Sequence, residues 1–348
     1  MNVPDDHAAG NPVSAAIERT MHIRDFEVDQ LPRAGKQTVW LDIARRADGG
    51  NWRLPLLAVI GAEEGPTLLV LAGVHGDEYE GIAAIPQVHS AIKSQDLRGR
   101  LIMAPICNMP AYEAIQRTSP IDGLNLARVF PGDVDGTITR QIAGWLSRKL
   151  LPHADFLIDL HTGGIAYEIP TLIGYVHDDG ELGRASLEAA AAFGAPVMWG
   201  HPLPLPAGRS ISAATSMGIP SLYSEAPGGG CDPDVVACFR DGVINVMKHL
   251  DMISGNLNRR RLTHHLVGDG NLDTVIHAPV DGFFQREISL LENVKTGQRL
   301  GMILDATGIE VAQVDADQDG VIIMLRGIPS VKVGDGIAHI TQNYHPGN

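Results

Sequence analysis

The fold of this chain can be worked out from the stretch Pro66-Thr-Leu-Leu-Val-Leu-Ala-Gly73 and the residues that follow it. Its apolar residues run without a break, which is typical of a strand covered on both faces in a parallel sheet. His75-Gly-Asp-Glu78 comes almost directly afterwards. The sequence therefore predicts a buried strand that delivers a histidine and a glutamate to the sheet's carboxyl edge.

Similar apolar runs recur along the first two thirds of the chain, and segments with helical periodicity separate them. The further runs are Leu101–Ile106, Ala154–Leu160 and Pro220–Ser224, and the helical segments are Gly81–Ile92, Thr139–Leu151, Glu181–Phe193 and Pro233–Leu250. Strands that alternate with helices predict an α/β fold. We expect a mixed, largely parallel sheet flanked by helices, with the ligand site beyond the carboxyl ends of its strands.

The pattern changes after Arg259-Arg260-Arg261, where helical periodicity ends and turn signals become frequent. We predict two domains, a catalytic domain over 1–262 and a smaller all-β domain over 263–348. The catalytic domain should begin with a polar, irregular stretch to about Gly35, followed by a β hairpin over Gln37–Ile60.

The C-terminal part contains an internal repeat. Ala278-Pro-Val-Asp-Gly282 is echoed 38 residues later by Ala316-Asp-Gln-Asp-Gly320, and the segment from Val294 is echoed 37 residues later from Val331. Two such copies predict a pseudo-symmetric barrel or sandwich, similar to the biotinyl and lipoyl carrier folds. Carriers need a modifiable lysine between the halves, and residues 304–314 contain none. We therefore expect no prosthetic group here.

The composition of the chain argues against several classes of function. The 348 residues are 44% hydrophobic and 20% charged, with a formal net charge of −14 that repels nucleic acid and anionic lipid. The sequence shows neither a secretory leader nor an apolar run of about 20 residues, so we predict a cytoplasmic protein without membrane association. Three cysteines without a Cys-x-x-Cys pair suggest neither a disulfide framework nor a thiolate zinc site. Any metal must be bound by histidines and carboxylates.

Polar side chains that follow the apolar runs form the candidate metal site. His75 and Glu78 need a third ligand if the site is to keep a position for water, and Ile158-Asp-Leu-His161 supplies one at the end of another run. A His-x-x-Glu pattern alone is more often a surface pair, but two strand-end histidines in the same context favour a metal. Glu225, in Ser224-Glu-Ala-Pro-Gly-Gly-Gly230, is a candidate proton acceptor, or alternatively caps a turn or pairs with an arginine.

A long polar loop from Arg117 to Gly132 contains two arginines, Arg117 and Arg128. Guanidinium groups suit the binding of a carboxylate or the stabilisation of an oxyanion. The alternative is that both are solvated loop residues. Loops of this length within a compact domain usually have a function.

Taken in order, four motifs resemble the succinylglutamate desuccinylase/aspartoacylase family of zinc-dependent amidohydrolases, which are relatives of the metallocarboxypeptidases. They are His75-x-x-Glu78, Asn125-Leu-x-Arg128-x-Phe-Pro-Gly, Asp159-Leu-His161 and Glu225-x-Pro-Gly-Gly, and the resemblance covers about residues 65–230. It implies a zinc-carboxypeptidase-like fold and one Zn²⁺ per chain bound by His75, Glu78 and His161. It also implies that Glu225 is the general base.

The resemblance further implies that Arg117 polarises the scissile carbonyl and that Arg128 binds a substrate carboxylate. Where the family loop has Asn-Leu-Asn-Arg, this chain has Ala127. Either the neighbouring Asn125 takes over in substrate binding, or the substrate is bound differently.

The function predicted in this way is hydrolysis of the amide bond of an N-acyl amino acid by a homo-oligomer. The loop after Arg117 and the run after Ser224 are also similar to the subgroup that includes the N-acetyl-diaminobutyrate deacetylases. The alternatives are a zinc carboxypeptidase for short peptides and a non-catalytic binding protein. Outside the motifs, we interpret His201 as a loop residue, with the alternative that it lines the pocket. We interpret His264 and His265 as exposed, and Cys107 as a buried structural thiol.

Overall fold

The computed structural model describes residues 18–271 and 274–345, so the predicted irregular start lies outside the described residues as far as residue 17. In chain order the first strands are β1 (Glu18–His22), β2 (Gly35–Arg45), β3 (Asn51–Ile60), β4 (Glu63–Ala72), β5 (Arg98–Ala104), β6 (Phe156–Leu160), β7 (Tyr167–Glu168), β8 (Leu172–His177), β9 (Val197–Pro202) and β10 (Ser221–Glu225). The helices are α1 (Glu80–Ala91), α2 (Met109–Glu113), α3 (Ile138–Trp145), α4 (Glu181–Phe193), α5 (Ser210–Ser216) and α6 (Pro233–His249). The later strands are β11 (His264–Val267), β12 (Ile276–His277), β13 (Gly282–Arg286), β14 (Asn293–Val294), β15 (Arg299–Leu304), β16 (Glu310–Asp315), β17 (Gly320–Arg326), β18 (Ser330–Val331) and β19 (Gly336–Asn343).

The described residues form a large mixed sheet, whose main path runs β1-β2-β3-β5-β4-β6-β10-β8-β9-β11-β19-β17-β14, and a smaller sheet in the order β16-β15-β13-β18. Neighbours β5, β4, β6 and β10 are parallel, whereas β2 and β3 form the predicted antiparallel hairpin. The mixed α/β class is confirmed. The stretch before Gly35 is not wholly irregular, since β1 adds a parallel strand beside β2. None of the helices in the described ranges is long and apolar enough to cross a bilayer.

Strand β4 is buried on both faces, as its apolar run predicts. Leu69 and Leu71 pack into one core, and Leu68 and Val70 pack into the other. This alternation follows from the period of two in a strand. The second core also contains the buried faces of α1, α4 and α6, whereas the first contains that of α3.

The bounds of the predicted helices differ from the structure by more than one residue in one place. The segment Thr139–Leu151 was expected to be one helix, but α3 ends at Trp145 and a π-helical turn and a 3₁₀ turn complete the segment. Pro152 lies in the 3₁₀ turn and has no backbone N–H to donate, so a regular helix cannot continue there. The predicted helix over Glu181–Phe193 matches α4 at both ends.

The internal repeat folds into two interlocked antiparallel pairs. β13 pairs with β15 in the first copy, and β17 pairs with β19 in the second. The short strands cross over, because β18 pairs with β13 and β14 pairs with β17. A separate apolar core lies between these strands, and the described residues after 263 form strands but no α-helix. Because β11 also pairs with β9, the main sheet continues into this part of the chain.

Candidate active site

Three adjacent parallel strands, β4, β6 and β10, carry the predicted site at their carboxyl ends. His75 and Glu78 lie in the loop after β4, His161 directly follows β6, and Glu225 ends β10. The loop after β4 packs tightly against α2, since a Cβ on Gly76 would lie 2.0 Å from the carbonyl carbon of Ala111. The packing of this loop leaves room only for a glycine at position 76.

The structure brings His75, Glu78 and His161 together in one buried group. One ligand-type atom from each residue lies within 4.8 Å of the others. The Nδ1 atoms of His75 and His161 lie 2.7 Å and 2.9 Å from the two carboxylate oxygens of Glu78. Such a group of two imidazoles and one carboxylate could bind a divalent metal ion.

Both imidazoles are oriented by a second contact through Nε2. The Nε2 of His75 lies 3.0 Å from Oδ1 of Asn125, and that of His161 lies 3.2 Å from Oδ2 of Asp159. Ser210 Oγ donates a hydrogen bond to the same oxygen of Asp159. Outer partners of this kind fix the tautomer and the orientation of metal-binding histidines. Sequence reasoning missed the roles of Asp159 and Ser210, although an aspartate inside a buried strand already signals a required partner.

Charge–charge contacts shift the pKa values of the group. Burial alone would raise the pKa of Glu78, but His75 and His161 lower it well below its ordinary value. Burial alone would lower the pKa of His161, but Asp159 and Glu78 raise it well above its ordinary value. Burial lowers the pKa of His75, and the nearby Arg117 lowers it further. Glu78 is therefore ionised and available as an anionic ligand.

The two predicted arginines, Arg117 and Arg128, lie in the wall of the cavity beside this group. Arg117 Nη1 donates to Oε1 of Glu78 at 2.9 Å, and Arg128 Nη1 donates to the carbonyl oxygen of Ala127 at 3.1 Å. Both side chains line the cavity that borders the group of His75, Glu78 and His161, which we call the metal-type group. Asn125, predicted to contact substrate, uses its side-chain oxygen for His75 and for the backbone N–H of Ala127.

Glu225 lines the same cavity and is 7% exposed. Its Oε2 atom has no hydrogen-bond partner among the residues the structure describes. Burial raises the pKa of this carboxyl to about 8, and the negative charge of Glu78 adds to the rise. A carboxyl with a pKa close to neutrality can both accept and release a proton.

His201 is not a loop residue, and the alternative that it lines the pocket is confirmed. It lies in β9, is 2% exposed and lines the cavity, because β9 continues to Pro202. Its Nδ1 donates to the carbonyl of Gly268 at 2.8 Å, so its Nε2 accepts from the hydroxyl of Tyr223 at 2.8 Å. The cavity measures about 610 Å³, open solvent at its mouth included.

His264 and His265 are half-buried rather than exposed, because they belong to β11 inside the extended sheet. His265 Nε2 forms a 2.7 Å hydrogen bond with the hydroxyl of Tyr175. Cys107 is 2% exposed, which confirms a buried thiol.

Comparison with known proteins agrees with this geometry. The sequence model of the succinylglutamate desuccinylase/aspartoacylase catalytic domain matches residues 64–250. The chain is 35% identical over 341 residues to the N-alpha-acetyl-L-2,4-diaminobutyric acid deacetylase of Halomonas elongata, and the match covers 95% of both chains. The chain belongs to the succinylglutamate desuccinylase/aspartoacylase family.

Solved structures of this family have the same fold. A succinylglutamate desuccinylase/aspartoacylase from Rhodobacter sphaeroides is 30% identical with a TM-score of 0.82, and the match covers 92% of this chain and 98% of that one. The product-bound ectoine utilization protein of Ruegeria pomeroyi is 31% identical with a TM-score of 0.81, covering 90% and 97%. The family hydrolyses N-acyl amino acid amide bonds, and this chain is an amidohydrolase of that class.

Proposed function

We propose that this enzyme removes the acyl group from an N-acyl amino acid, using one zinc ion bound by His75, Glu78 and His161 and Glu225 as the general base. One observation carries the proposal. The three candidate ligands converge at the edge of a cavity that Glu225, Arg117 and Arg128 also line. A base, cationic groups and a metal site on one cavity are what amide hydrolysis by activated water requires.

The residues present fit a zinc ion. Two imidazole nitrogens and a carboxylate form the three-ligand set of catalytic zinc sites, and the Nε2 contacts of His75 and His161 leave both Nδ1 atoms directed at the centre of the group. When bound, zinc polarises the amide carbonyl and lowers the pKa of the attacking water.

The chain's own residues supply the remaining steps. Glu225 Oε2 takes a proton from the water as the water oxygen attacks the carbonyl carbon. Arg117 donates hydrogen bonds to the carbonyl oxygen as negative charge develops there, and Arg128 binds the carboxylate of the amino acid. When the C–N bond breaks, Glu225 returns the proton to the leaving nitrogen. The products are a carboxylic acid and a free amino acid.

The nature of the relatives supports a small acyl group and a diamino acid. The Halomonas elongata relative is named for deacetylation of N-alpha-acetyl-L-2,4-diaminobutyric acid, and its match spans nearly the whole of both chains. We infer a substrate of the same class for this enzyme.

A substrate panel tests the proposal. Purified enzyme should release free amine from N-acetyl-2,4-diaminobutyrate and contain about one zinc ion per chain, measured by mass spectrometry of the metal. Dipeptides of the same amino acid serve as the control for the carboxypeptidase alternative. Cleavage of dipeptides with no release from N-acetyl amino acids would overturn the deacylase proposal. A metal-free folded protein without activity would favour the non-catalytic alternative.

Assembly and location are further proposals. We infer that residues 263–348 form a domain of their own after a catalytic domain over 1–262, because a separate apolar core lies between β13, β15, β17 and β19. We also infer a homo-oligomer that acts in the cytoplasm.

A further inference from the structure

The cavity beside the metal-type group holds a carboxylate that the proposed reaction does not use. Three carboxylates of the described residues lie in its wall. Asp159 contacts His161 and Ser210, and Glu225 is the proposed general base. The third is Asp269, whose side chain is 62% exposed. No step of amide hydrolysis requires it, so its place in the wall calls for another role.

Two cavity residues hold the loop that carries Asp269. His201 Nδ1 donates to the carbonyl of Gly268 at 2.8 Å, and a Cβ on Gly270 would lie 2.6 Å from the same nitrogen. Arg209 Nη2 donates to the carbonyl of Gly270 at 3.5 Å. Because the residues on both sides of Asp269 contact His201, Asp269 is fixed at the end of the cavity where His201 lies.

The carboxylate of Asp269 keeps acceptor positions for a ligand. Its Oδ1 accepts from the backbone N–H of Asn271 at 2.9 Å, and Nε2 of His339 lies 4.0 Å from this oxygen. The hydroxyl of Thr274 lies 3.4 Å from Oδ2, but it donates more closely to the carbonyl of Asn271 at 2.9 Å. A carboxylate offers about four lone-pair positions, so Oδ2 in particular can accept from a bound cation.

Tyr223 offers a second acceptor beside His201. Burial lowers the pKa of His201 to about 4, so the imidazole is neutral at pH 7. Since Nδ1 donates to a carbonyl, Nε2 accepts the hydroxyl hydrogen of Tyr223 at 2.8 Å, and the hydroxyl oxygen can only accept further hydrogen bonds. Gly174 on β8 lets the ring reach β9, because a Cβ there would lie 1.9 Å from Cε1 of Tyr223.

A second cavity of about 470 Å³ shares Arg117, Arg128 and Glu225 with the large one. Its other described lining residues are Asn125, Thr162, Gly163, Tyr167, Ile169 and Met324, and none of them is a carboxylate. A substrate that carries an additional cation therefore finds a counter-charge outside the reacting groups in the large cavity, at Asp269.

We propose that Asp269 binds the side-chain ammonium group of a diamino acid substrate, with the hydroxyl oxygen of Tyr223 as a second acceptor. The inference rests on the proposed function and adds to it the residues that select a diamino acid. The wall of the large cavity also contains Leu205, Pro206 and Ile211, against which the methylene groups of the side chain pack. Hydrogen bonds from an ammonium group to a carboxylate are charge-assisted and therefore strong.

Removal of the charge at Asp269 tests this inference in the zinc-containing enzyme. The measured quantity is the ratio of kcat/KM for N-alpha-acetyl-2,4-diaminobutyrate over N-acetyl-2-aminobutyrate, which lacks the second amino group. Asp269→Asn keeps an oxygen for the N–H of Asn271 but loses the charge, and should lower this ratio about tenfold. Affinity for diaminobutyrate relative to 2-aminobutyrate, the amino acid products, should fall in the same direction by calorimetry. Asp269→Lys should shift the preference toward N-acetylglutamate, whose side chain is anionic.

Asp317→Asn is the matched control, because Asp317 is an exposed aspartate of the C-terminal part that does not line the cavity. A ratio that stays constant in Asp269→Asn, or falls equally in Asp317→Asn, would overturn the inference. A preference of the unmodified enzyme for N-acetylglutamate would also overturn it, and is the result expected if Arg209 binds an anionic side chain instead. Failure of the unmodified enzyme to release amine from any N-acyl amino acid would contradict the proposed function itself.

Discussion

At the scale of single residues, the chemistry of the site depends on which carboxylates contact His75 and His161 and which do not. Glu78 contacts both histidines, whereas Glu225 lies in the cavity wall with an unpartnered buried oxygen among the described residues. The two glutamates therefore differ in their surroundings. Glu78 is suited to coordination, and Glu225 is suited to proton transfer.

Glu225→Gln should lower kcat by about 100-fold or more, because an amide cannot accept the proton of the attacking water. Zinc content, measured on the purified variant, should match that of the unmodified enzyme, since Glu225 is not in the ligand group. Glu188→Gln makes the same change at an exposed position on α4 and should retain full turnover. Turnover of Glu225→Gln within a few-fold of normal would remove the residue from the mechanism.

Asp159→Asn should weaken zinc binding by about 10- to 100-fold, the order typical of losing an outer carboxylate partner of a ligating histidine. The reason is that Asp159 orients His161 through Nε2 and favours the protonated nitrogen there. Competition with a chelator measures the affinity. Asp155→Asn is the control, since this exposed aspartate accepts from the backbone of Thr67 and lies outside the cavity. Equal zinc affinities in the two variants would contradict the orienting role of Asp159.

At the scale of elements, the close contact of α4 and α6 depends on a glycine. A Cβ on Gly242 of α6 would lie 2.3 Å from the ring of Phe193 on α4, and Phe193 is 1% exposed. The neighbouring ring cannot yield easily in a packed core. The absence of a side chain at Gly242 therefore sets how closely the two helices approach.

Gly242→Ala should lower the free energy of unfolding by up to about 2 kcal/mol, because overpacking costs about 1–3 kcal/mol and the better helix propensity of alanine returns about 1 kcal/mol. Urea denaturation measures this loss, and KM should stay unchanged. Combining Gly242→Ala with Phe193→Leu should cost less than the sum of the single changes, since leucine relieves the collision. Additive losses would show that the ring and the new methyl group do not collide.

The regular elements could be predicted from sequence where one face or both faces are apolar. β4, β6, β10 and α4 are predicted because their burial follows the period of their own residues, and His75, Glu78 and His161 are found because polar residues follow such runs. Glu225 is found in the same way. What the sequence does not show is contact between distant elements. The two-residue β7 has no periodicity of its own, and the run Val321–Leu325 is apolar at every position, so nothing marks the β-bulge between Ile322 and Met324 that places these two side chains in different apolar clusters.

At the scale of the whole molecule, the main sheet does not end where the predicted catalytic domain ends. β11 pairs with β9 on one side and with β19 on the other, and β17 pairs with β7. The C-terminal strands are therefore paired with strands of the preceding part of the chain at two places, β9 and β7. This explains how a residue as distant in sequence as Met324 lines a cavity beside Glu225.

The hydrogen bonds of His201 to Gly268 and Tyr223 form a third link between these parts of the chain. The stability that this link contributes depends on pH. Burial lowers the pKa of His201 to about 4, from an ordinary value of 6.5. The unfolded chain therefore binds more protons than the folded one between these pH values. The stability that neutral His201 contributes is fully present above about pH 6.5 and decreases as pH falls toward 4, by about 3 kcal/mol.

His201→Gln preserves a donor for Gly268 and an acceptor for Tyr223 but does not titrate, so its free energy of unfolding should fall less over this range. Urea denaturation of both proteins at pH 7 and pH 4.5 measures the difference, in which the contributions of all other titrating groups cancel. Parallel losses in the two proteins would mean that protonation of His201 does not weaken this link.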